Sequence, residues 1–395
     1  MSVSEAQRVA PDAAELEALR GAVRDACERH AGPDEARRLV DTTPAGRPGP
    51  GLWSALVQDL GVGGLLVPER FGGADAGWPV VRVVLEELGR SLAAAPYVAS
   101  AVLAPTLLLA AGDEPAAHDL LPAIAEGRVV ATVAVVEPHT DWDDWAAAAA
   151  PERAATTAQE GPGGWLLSGR KRVVPFGATA DLLLVLAAVN GRTALFAVEA
   201  TAAGLRTEPH ATLDGTRPVA DVVFASTPAR LIGAVGGVSG AVRRAIELGG
   251  LALAAEDVGA MRQCLQLSVD YALLRTQFDR VIGSFQAVKH KLADMLVRVE
   301  LAEAAVEEAC LLADGGTAAG AVAATVAHAC AAEAFPLVAA ETIQTHGGIG
   351  FTWEHPAHLY FRRAKASRLA FGGPSRYRER VLDRLQLDGP PPTGS

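Results

Sequence analysis

The order in which apolar residues are spaced along this chain constrains its fold more than any other feature. From Ala13 to about Gly127 they recur at three- and four-residue intervals, as in Val81, Val84, Leu85 and Leu88 beside Arg82, Glu86 and Glu87. This spacing predicts helices with one apolar face. Five short segments follow, Val129 to Val136, Gly164 to Val174, Ala180 to Ala187, Thr193 to Val198 and Val219 to Ala225, rich in Val and Leu and separated by Gly, Pro, Asp and Asn. They predict a small antiparallel β unit. From Val235 to about Leu387 helical periodicity returns, in Val242 to Leu274 and Ala287 to Ala313, with breaks at Arg275 to Ser284 and Thr345 to Pro356. The expected α+β organisation is a helical domain over 1–125, a β domain over 126–230 and a second helical domain over 231–395. Several folds satisfy such an order, so the motifs must carry the functional case.

A chain of 395 residues can bury a core large enough for two or three packed units with a cofactor cleft between them. Its formal charge of −11, from 35 Lys and Arg against 46 Asp and Glu, gives no cationic field for a phosphate backbone. No basic run is interleaved with aromatics either, so nucleic acid is not an expected partner. Cys27, Cys264, Cys310 and Cys330 have no C-x-x-C spacing and sit mostly among helix-forming residues, which predicts reduced core thiols. The opening Met1-Ser2-Val3-Ser4-Glu5 lacks a cationic region followed by an apolar one, and a cytoplasmic location is expected. Ser91 to Gly112 and Gly315 to Ala332 are uncharged and approach the length of a bilayer span. Pro96 and Pro105 interrupt the first and both are rich in Ala, so buried helices are expected and no membrane contact.

Two segments carry chemistry. The first runs Arg275-Thr276-Gln277-Phe278-Asp279-Arg280-Val281-Ile282-Gly283-Ser284-Phe285-Gln286 and continues to Leu292-Ala293-Asp294-Met295, joining two long helices. An Arg can grip a pyrophosphate with two donors, a Phe offers an apolar face to an adenine or ribose, and Gln286 can bond further acceptors. On the residues alone, an ordinary helix-helix turn with a solvated Arg and a core Phe is the favoured reading. The second segment, Gln344-Thr345-His346-Gly347-Gly348-Ile349-Gly350-Phe351-Thr352-Trp353-Glu354-His355-Pro356, holds three glycines within four residues. Residues without Cβ let backbone N–H groups approach an anion closely. A glycine-rich helix end is the alternative.

Taken together, the segments resemble hallmarks of the acyl-CoA dehydrogenase family: an Arg-x-x-Phe loop, Phe-Gln and Leu-Ala-x-Met, then Gln-x-x-Gly-Gly-x-Gly before Glu-x-Pro. Val67-Pro68-Glu69-Arg70-Phe71-Gly72-Gly73 followed by Leu85-Glu86-Glu87-Leu88-Gly89-Arg90 resembles the family's N-terminal signature, and Glu137-Pro138 and Gly169-Arg170-Lys171 fall where its β domain has matching pieces. The resemblance covers roughly residues 10 to 387. It implies a small β-barrel-like middle domain and a C-terminal four-helix bundle. It also implies FAD, whose ADP half Arg275, Phe278, Gln286, Gln344, Gly347 and Gly348 would bind for a neighbouring subunit. The half lining the chain's own flavin is less well kept. Where the family has Thr-Glu-Pro-x-x-Gly-Ser-Asp this chain has Val136-Glu137-Pro138-His139-Thr140-Asp141-Trp142-Asp143, and where it has Trp-Ile-Thr this chain has Val173-Val174-Pro175. Pro175 can donate no backbone hydrogen bond.

Dehydrogenation of a thioester needs a carboxylate to take the α proton while a hydride leaves the β carbon. The family's usual Glu falls at Gly372 in Ala370-Phe371-Gly372-Gly373-Pro374, and its second location falls near Gly249, so neither position holds an acid. Glu247 and Glu256 lie nearby, at offsets that turn them by about 200° and 340° around a helix. Glu256 is thus a candidate displaced base on the same face, about 10 Å along. His290, His346, His355 and His358 form no set at metal-ligand spacing and read as helix-end or core polar residues.

The pattern resembles the base-less subunits of heteromeric bacterial acyl-CoA dehydrogenases acting on CoA thioesters of steroid side chains. What this implies is an acyl-CoA substrate, a sister subunit that supplies the Glu, and an electron-transfer flavoprotein or similar acceptor. A homo-oligomer with a displaced base and a catalytically silent acyl-CoA-binding scaffold are the alternatives.

Overall fold

The computed structural model describes residues 12–42, 49–140, 155–161 and 163–385. The first block is helical: α1 Ala13–His30, α2 Pro33–Asp41, α3 Pro50–Ser54, α4 Trp78–Arg90, α5 Ala104–Ala110 and α6 Glu114–Ala125. Helix α1 starts at a reciprocal cap, in which Asp12 accepts from the Ala14 N–H and Glu15 accepts from the Asp12 N–H. Helix α4 buries not only its Val and Leu stripe but also Glu86 and Glu87. Their carboxylates are satisfied by guanidinium groups, Arg20 at 2.8 Å, Arg82 and Arg262 at 3.0 Å on Glu86, and Arg24 at 2.9 Å on Glu87. Buried carboxylates persist only when paired in this way.

The strands are β1 Ala131–Ala134, β2 Thr157–Gly161, β3 Gly164–Pro175, β4 Leu182–Val189, β5 Arg192–Glu199, β6 Leu205–Pro209 and β7 Val219–Ile232. Pairings β4–β2, β2–β3, β3–β7, β7–β5 and β5–β4 close a ring, with β1 added on β4 and β6 on β7. The ring encloses its own core, including Leu167, Leu183, Phe196 and Phe224. The expectation of a purely antiparallel unit is corrected here: β1 and β2 both run parallel to β4. A parallel pair needs a long crossover, which the intervening chain from β1 to β4 supplies. Strands β2 and β6 gave no sequence signal because most of their residues, such as Gln159, Glu160 and Arg206, are solvent-facing and polar.

The last block consists of α7 Ser239–Leu274, α8 Gln286–Ala313, α9 Ala318–His346, α10 Ala357–Leu369 and α11 Pro374–Leu385. Between α7 and α8 the expected irregular loop is a hairpin of two short strands, β8 Thr276–Gln277 and β9 Arg280–Val281. Its two central residues, Phe278 and Asp279, both have left-handed φ values, 53° and 60°. That is the geometry of a two-residue hairpin turn whose twist matches its strands. Cys27, Cys264 and Cys310 are buried, and burial pushes the thiols of Cys27 and Cys264 up to about 12. Cys330 departs from the expected core position and is exposed on the outer side of α9. Ala318–Phe351 is long and apolar enough to cross a membrane, with 67 % of its apolar window buried inside the protein.

Helix α7 belongs to two of the three apolar cores. Leu251, Val258 and Met261 pack with α4, α8 and α9, whereas Val242, Ile246 and Leu253 pack with α5, α6, β1 and β4. Its crossing with α4 is reciprocal and very close. A Cβ at Gly89 would stand 1.8 Å from the Glu256 carbonyl oxygen, and one at Gly259 would stand 1.8 Å from that of Glu86. Gly89→Ala and Gly259→Ala should therefore each cost at least the roughly 1–3 kcal/mol typical of overpacking. Because either methyl forces the same helix pair apart, the double variant should cost less than the sum of the two. Unfolding temperatures of the four proteins check this, and strict additivity would show that the two contacts relax independently.

Candidate functional site

The motif residues gather where α7 ends, α8 begins and α9 ends. Tyr271 and His346 stack at 4.5 Å between ring centroids, Lys291 pairs with Glu341 at 2.7 Å, and the Thr342 hydroxyl donates to the Cys264 carbonyl. The six sequence candidates Arg275, Phe278, Gln286, Gln344, Gly347 and Gly348 are all exposed on this surface. The expectation that Phe278 could be a core residue does not hold, since the ring is 85 % exposed at the tip of a strained turn. The Arg275 guanidinium makes no ion pair among the described residues. Gly347, at φ 61°, ends α9 and donates its N–H to the Gln344 and Ile343 carbonyls. Nothing lies within 4 Å of where a Cβ would stand at Gly347 or Gly348. An unpaired guanidinium, a projecting aromatic ring, two exposed amide side chains and bare glycine backbone fit an anionic dinucleotide that approaches from outside the chain.

A second region is separate from the first. An apolar cavity of about 450 Å³ lies between the N-terminal helices, the strand ends and α10. None of the six motif residues lines it. Its walls include Ala95, Ala99 and Leu103, the strand end Val173, Pro175 and Phe176, Leu253 and Glu256 of α7, and Leu369 to Phe371. Val173 and Phe176 have left-handed backbones, so this strand end is bent by a bulge in its pairing with β7. The nearby Glu137 is spent internally. It pairs with the fully buried Lys171 and accepts from the Ala155 N–H and the Thr156 hydroxyl, while the Thr140 hydroxyl accepts from its backbone N–H. Burial pulls the Lys171 ammonium below its ordinary value, against the pull of Glu137. Asp141, Trp142 and Asp143 lie outside the described residues.

At the two positions where the family resemblance places a base, the chain has glycine in close or strained surroundings. A Cβ at Gly249 would stand 2.6 Å from Leu103 Cδ2 and 3.2 Å from the Phe371 ring, and Gly372 has φ 107°, where a side chain is strained. Glu256 lines the cavity but is held in a network that sequence reasoning missed. Its carboxylate pairs with Arg217 and lies 3.8 Å from Arg363, which in turn donates to Asp214 at 2.7 Å and to the Ala93 carbonyl at 3.1 Å. Arg217 also donates to the Ser367 hydroxyl. Asp214 and Arg217 come from one loop before β7, Asp214-Gly215-Thr216-Arg217, and their only sequence signal was a charge pair among turn formers. Glu247, on the same helix, pairs with Arg384. His346 bonds the Thr342 carbonyl, and burial, with His346 beside it, brings His355 down to about 4. Among the described residues no group of His, Cys, Asp and Glu could hold a metal ion.

Comparison with known proteins places this geometry. Residues 13–128 match the model of the acyl-CoA dehydrogenase N-terminal domain, and residues 237–386 match that of the C-terminal domain. Acyl-CoA dehydrogenase IpdE2 of Mycolicibacterium smegmatis is 32% identical over 360 residues, 91% of this chain and 95% of that one. The chain belongs to the acyl-CoA dehydrogenase family. Among solved structures, the Tcur3481-Tcur3483 steroid ACAD variant is similar at 32% identity and TM-score 0.80, covering 95% of this chain and 98% of that one. The ChsE4-ChsE5 complex from Mycobacterium tuberculosis is similar at 28% identity and TM-score 0.80, covering 99% of both. This acyl-CoA dehydrogenase has the family's three-part architecture, a helical block, a small β domain and a helical block, and FAD is its family's cofactor.

Asp257, beside the Glu256 network, is fully enclosed and neither of its oxygens finds a hydrogen bond of normal geometry among the described residues. Burial pushes its carboxyl up to about 7, against the opposing pull of Arg217 and Ser367. A folded pKa above the unfolded one means that the folded chain holds the proton more tightly, so stability falls as pH rises from about 4 to about 7. Asp257→Asn should therefore raise the unfolding temperature at pH 8 and leave it nearly unchanged at pH 4. An equal gain at both pH values would mean that the carboxyl is not the titrating group.

Proposed function

We propose that this chain is the base-less subunit of a heteromeric FAD-dependent acyl-CoA dehydrogenase, working in the cytoplasm and divided near residues 125 and 230. The observation that carries the reading is that glycine stands at both expected base positions, with Leu103 and Phe371 packed beside Gly249 and a left-handed backbone at Gly372. Bound FAD supplies the hydride acceptor for α,β-dehydrogenation of an acyl-CoA thioester. In this reading Arg275, Phe278, Gln286, Gln344, Gly347 and Gly348 bind the ADP half of a flavin whose reactive ring lies in a sister subunit. That subunit contributes the Glu that takes the α proton, and an electron-transfer flavoprotein or similar acceptor reoxidises the pair. The separation of the six exposed residues from the chain's own cavity supports this division of labour. The similar structures, a steroid ACAD and a two-component complex, support a bulky substrate and a partner chain.

Glu256 favours a second reading, a homo-oligomer with a displaced base, because it lines the cavity. A carboxylate paired with Arg217 and facing Arg363 is poorly placed for that task, since its oxygens are already engaged by guanidinium groups. Flavin absorbance decides between them. The chain purified alone should carry little FAD and its complex with the sister subunit a full share, whereas stoichiometric FAD in a homo-oligomer would reject the heteromer.

Arg275→Ala should weaken flavin retention by the complex by roughly 1.5–3 kcal/mol, the worth of a hydrogen bond from a charged donor. Flavin retention equal to the parent would show that the hairpin does not reach the cofactor. Glu256→Gln should lower the unfolding temperature, because it leaves Arg217 buried without its full partner, and should barely change turnover. A general base is worth ~10²–10⁴-fold, so a hundredfold loss of turnover with flavin intact would promote the homo-oligomer.

A further inference from the structure

Away from both regions, the crossing of α4 and α7 opens on one side into a polar hollow of about 390 Å³, bounded by α1. Arg20 and Arg24 of α1, Glu86, Glu87 and Arg90 of α4, and Arg262 and Gln263 of α7 face it. The charges there do not balance. Arg20, Arg24, Arg82, Arg90 and Arg262 surround the carboxylates of Glu86, Glu87 and Glu303, which leaves two positive charges over. The other acids in reach, Glu17, Glu28 and Glu307, are all more than half exposed, so water screens what they offer. Several donors are also unspent. Arg90 comes no closer than 3.6 Å to Glu28 and 3.7 Å to Glu87, beyond hydrogen-bond range. Among the described residues Arg20 donates through Nη1 alone, Arg24 through Nε and Nη2, and the Gln263 amide makes no hydrogen bond. In a chain of net charge −11, a half-buried hollow with spare cations and spare donors is a local exception.

We propose that this hollow is a phosphate site, taking a phosphate dianion either free or as the end of a small phosphomonoester. Two negative charges match the excess of two positive ones. The tetrahedral oxygens let guanidinium groups bind from several sides, whereas a carboxylate offers two oxygens in one plane. Arg20 and Arg24 stand one helical turn apart on the same face of α1, and Arg90 approaches from α4. Gln263 supplies an amide from α7. The volume exceeds what a lone phosphate fills, which leaves room for a small ester body. No residue that lines this hollow lines the apolar cavity, and none is one of the six motif residues. Its floor is the helix crossing itself, since Gly259 stands there against the Glu86 carbonyl. A dianion that ties α1 and α4 to α7 tightens the contact on which two of the three apolar cores depend. Occupancy therefore stabilises the fold, whether the assembly is heteromeric or not.

The test titrates the flavin-loaded assembly of the full chain with sodium phosphate at pH 8, where phosphate is a dianion, with ionic strength held constant by sodium chloride. The unfolding temperature should rise and saturate, as it does for a ligand that binds only the folded state, and calorimetry should count one phosphate per chain. Gln263→Glu adds a carboxylate to the wall without breaking an ion pair. It should weaken phosphate binding at least ~10-fold, as loss of a charge-assisted bond does, and leave the unfolding temperature in chloride at or above that of the parent. Arg90→Gln should weaken binding by a similar factor, with Arg90→Lys recovering part of it. Succinate, whose two charges sit on separate carboxylates, should bind more weakly than phosphate. Ribose 5-phosphate bound more tightly than inorganic phosphate would assign the site to a phosphomonoester, and equal or weaker binding would assign it to free phosphate. A response to phosphate no larger than that to chloride at the same ionic strength, or one kept in full by Gln263→Glu, would overturn the proposal. Succinate bound as tightly as phosphate would overturn the ligand class.

Discussion

The close crossing of α4 and α7 holds the rest of the molecule in place. At Gly89 and Gly259 each helix backbone lies against a carbonyl of the other, with no room for even a methyl group. That approach brings Arg262 of α7 within reach of Glu86 on α4, so two buried carboxylates and a set of arginines meet across it. Below the crossing, α7 forms a core with α8 and α9, and above it the same helix forms a core with α5, α6 and the first strands. Moving α7 outward would open both cores at once, because interiors are close-packed and transmit strain.

A second buried charge set joins the β domain to the helices. Asp214 and Arg217, from the loop before β7, engage Arg363 of α10 and Glu256 of α7. Placing three acids, Asp214, Glu256 and Asp257, near two guanidinium groups leaves the set short of positive charge. Asp257 is the residue left incompletely satisfied, which is why burial dominates its protonation. Breaking such a pair costs more than forming it gains, since a lone charge remains in a medium that solvates it poorly. The network thereby fixes the floor of the cavity and removes Glu256 from free acid-base duty.

Much of the fold was legible because helical and strand periodicities are local. The long helices α7 and α8 begin within a few residues of their expected starts, and five of the seven barrel strands carried a Val and Leu signal. Strands Thr157–Gly161 and Leu205–Pro209 did not, since their side chains are mostly polar and only partly buried and their identity as strands comes from partners distant in sequence. The parallel pairing of β1 with β4 was equally invisible, because ring closure is a property of the assembled sheet. Cys330 shows the same limit: an Ala-rich neighbourhood predicts a helix, but which face of that helix is exposed depends on what packs against it.

The sequence by itself determined the family, through Arg275, Phe278, Gln286 and the Gln344 to Gly350 turn, and it determined that Gly249 and Gly372 carry no acid. These are statements of residue type at fixed spacing, and no folding is needed to read them. Only the tertiary structure decided that the six motif residues face outward while the cavity lies elsewhere, and that Leu103 and Phe371 fill the space beside Gly249. It also decided that Glu256 is bound to Arg217, a residue 39 positions away. Exposure, room and charge pairing arise when segments far apart in the chain share a few ångströms, and no local pattern encodes which segments those will be.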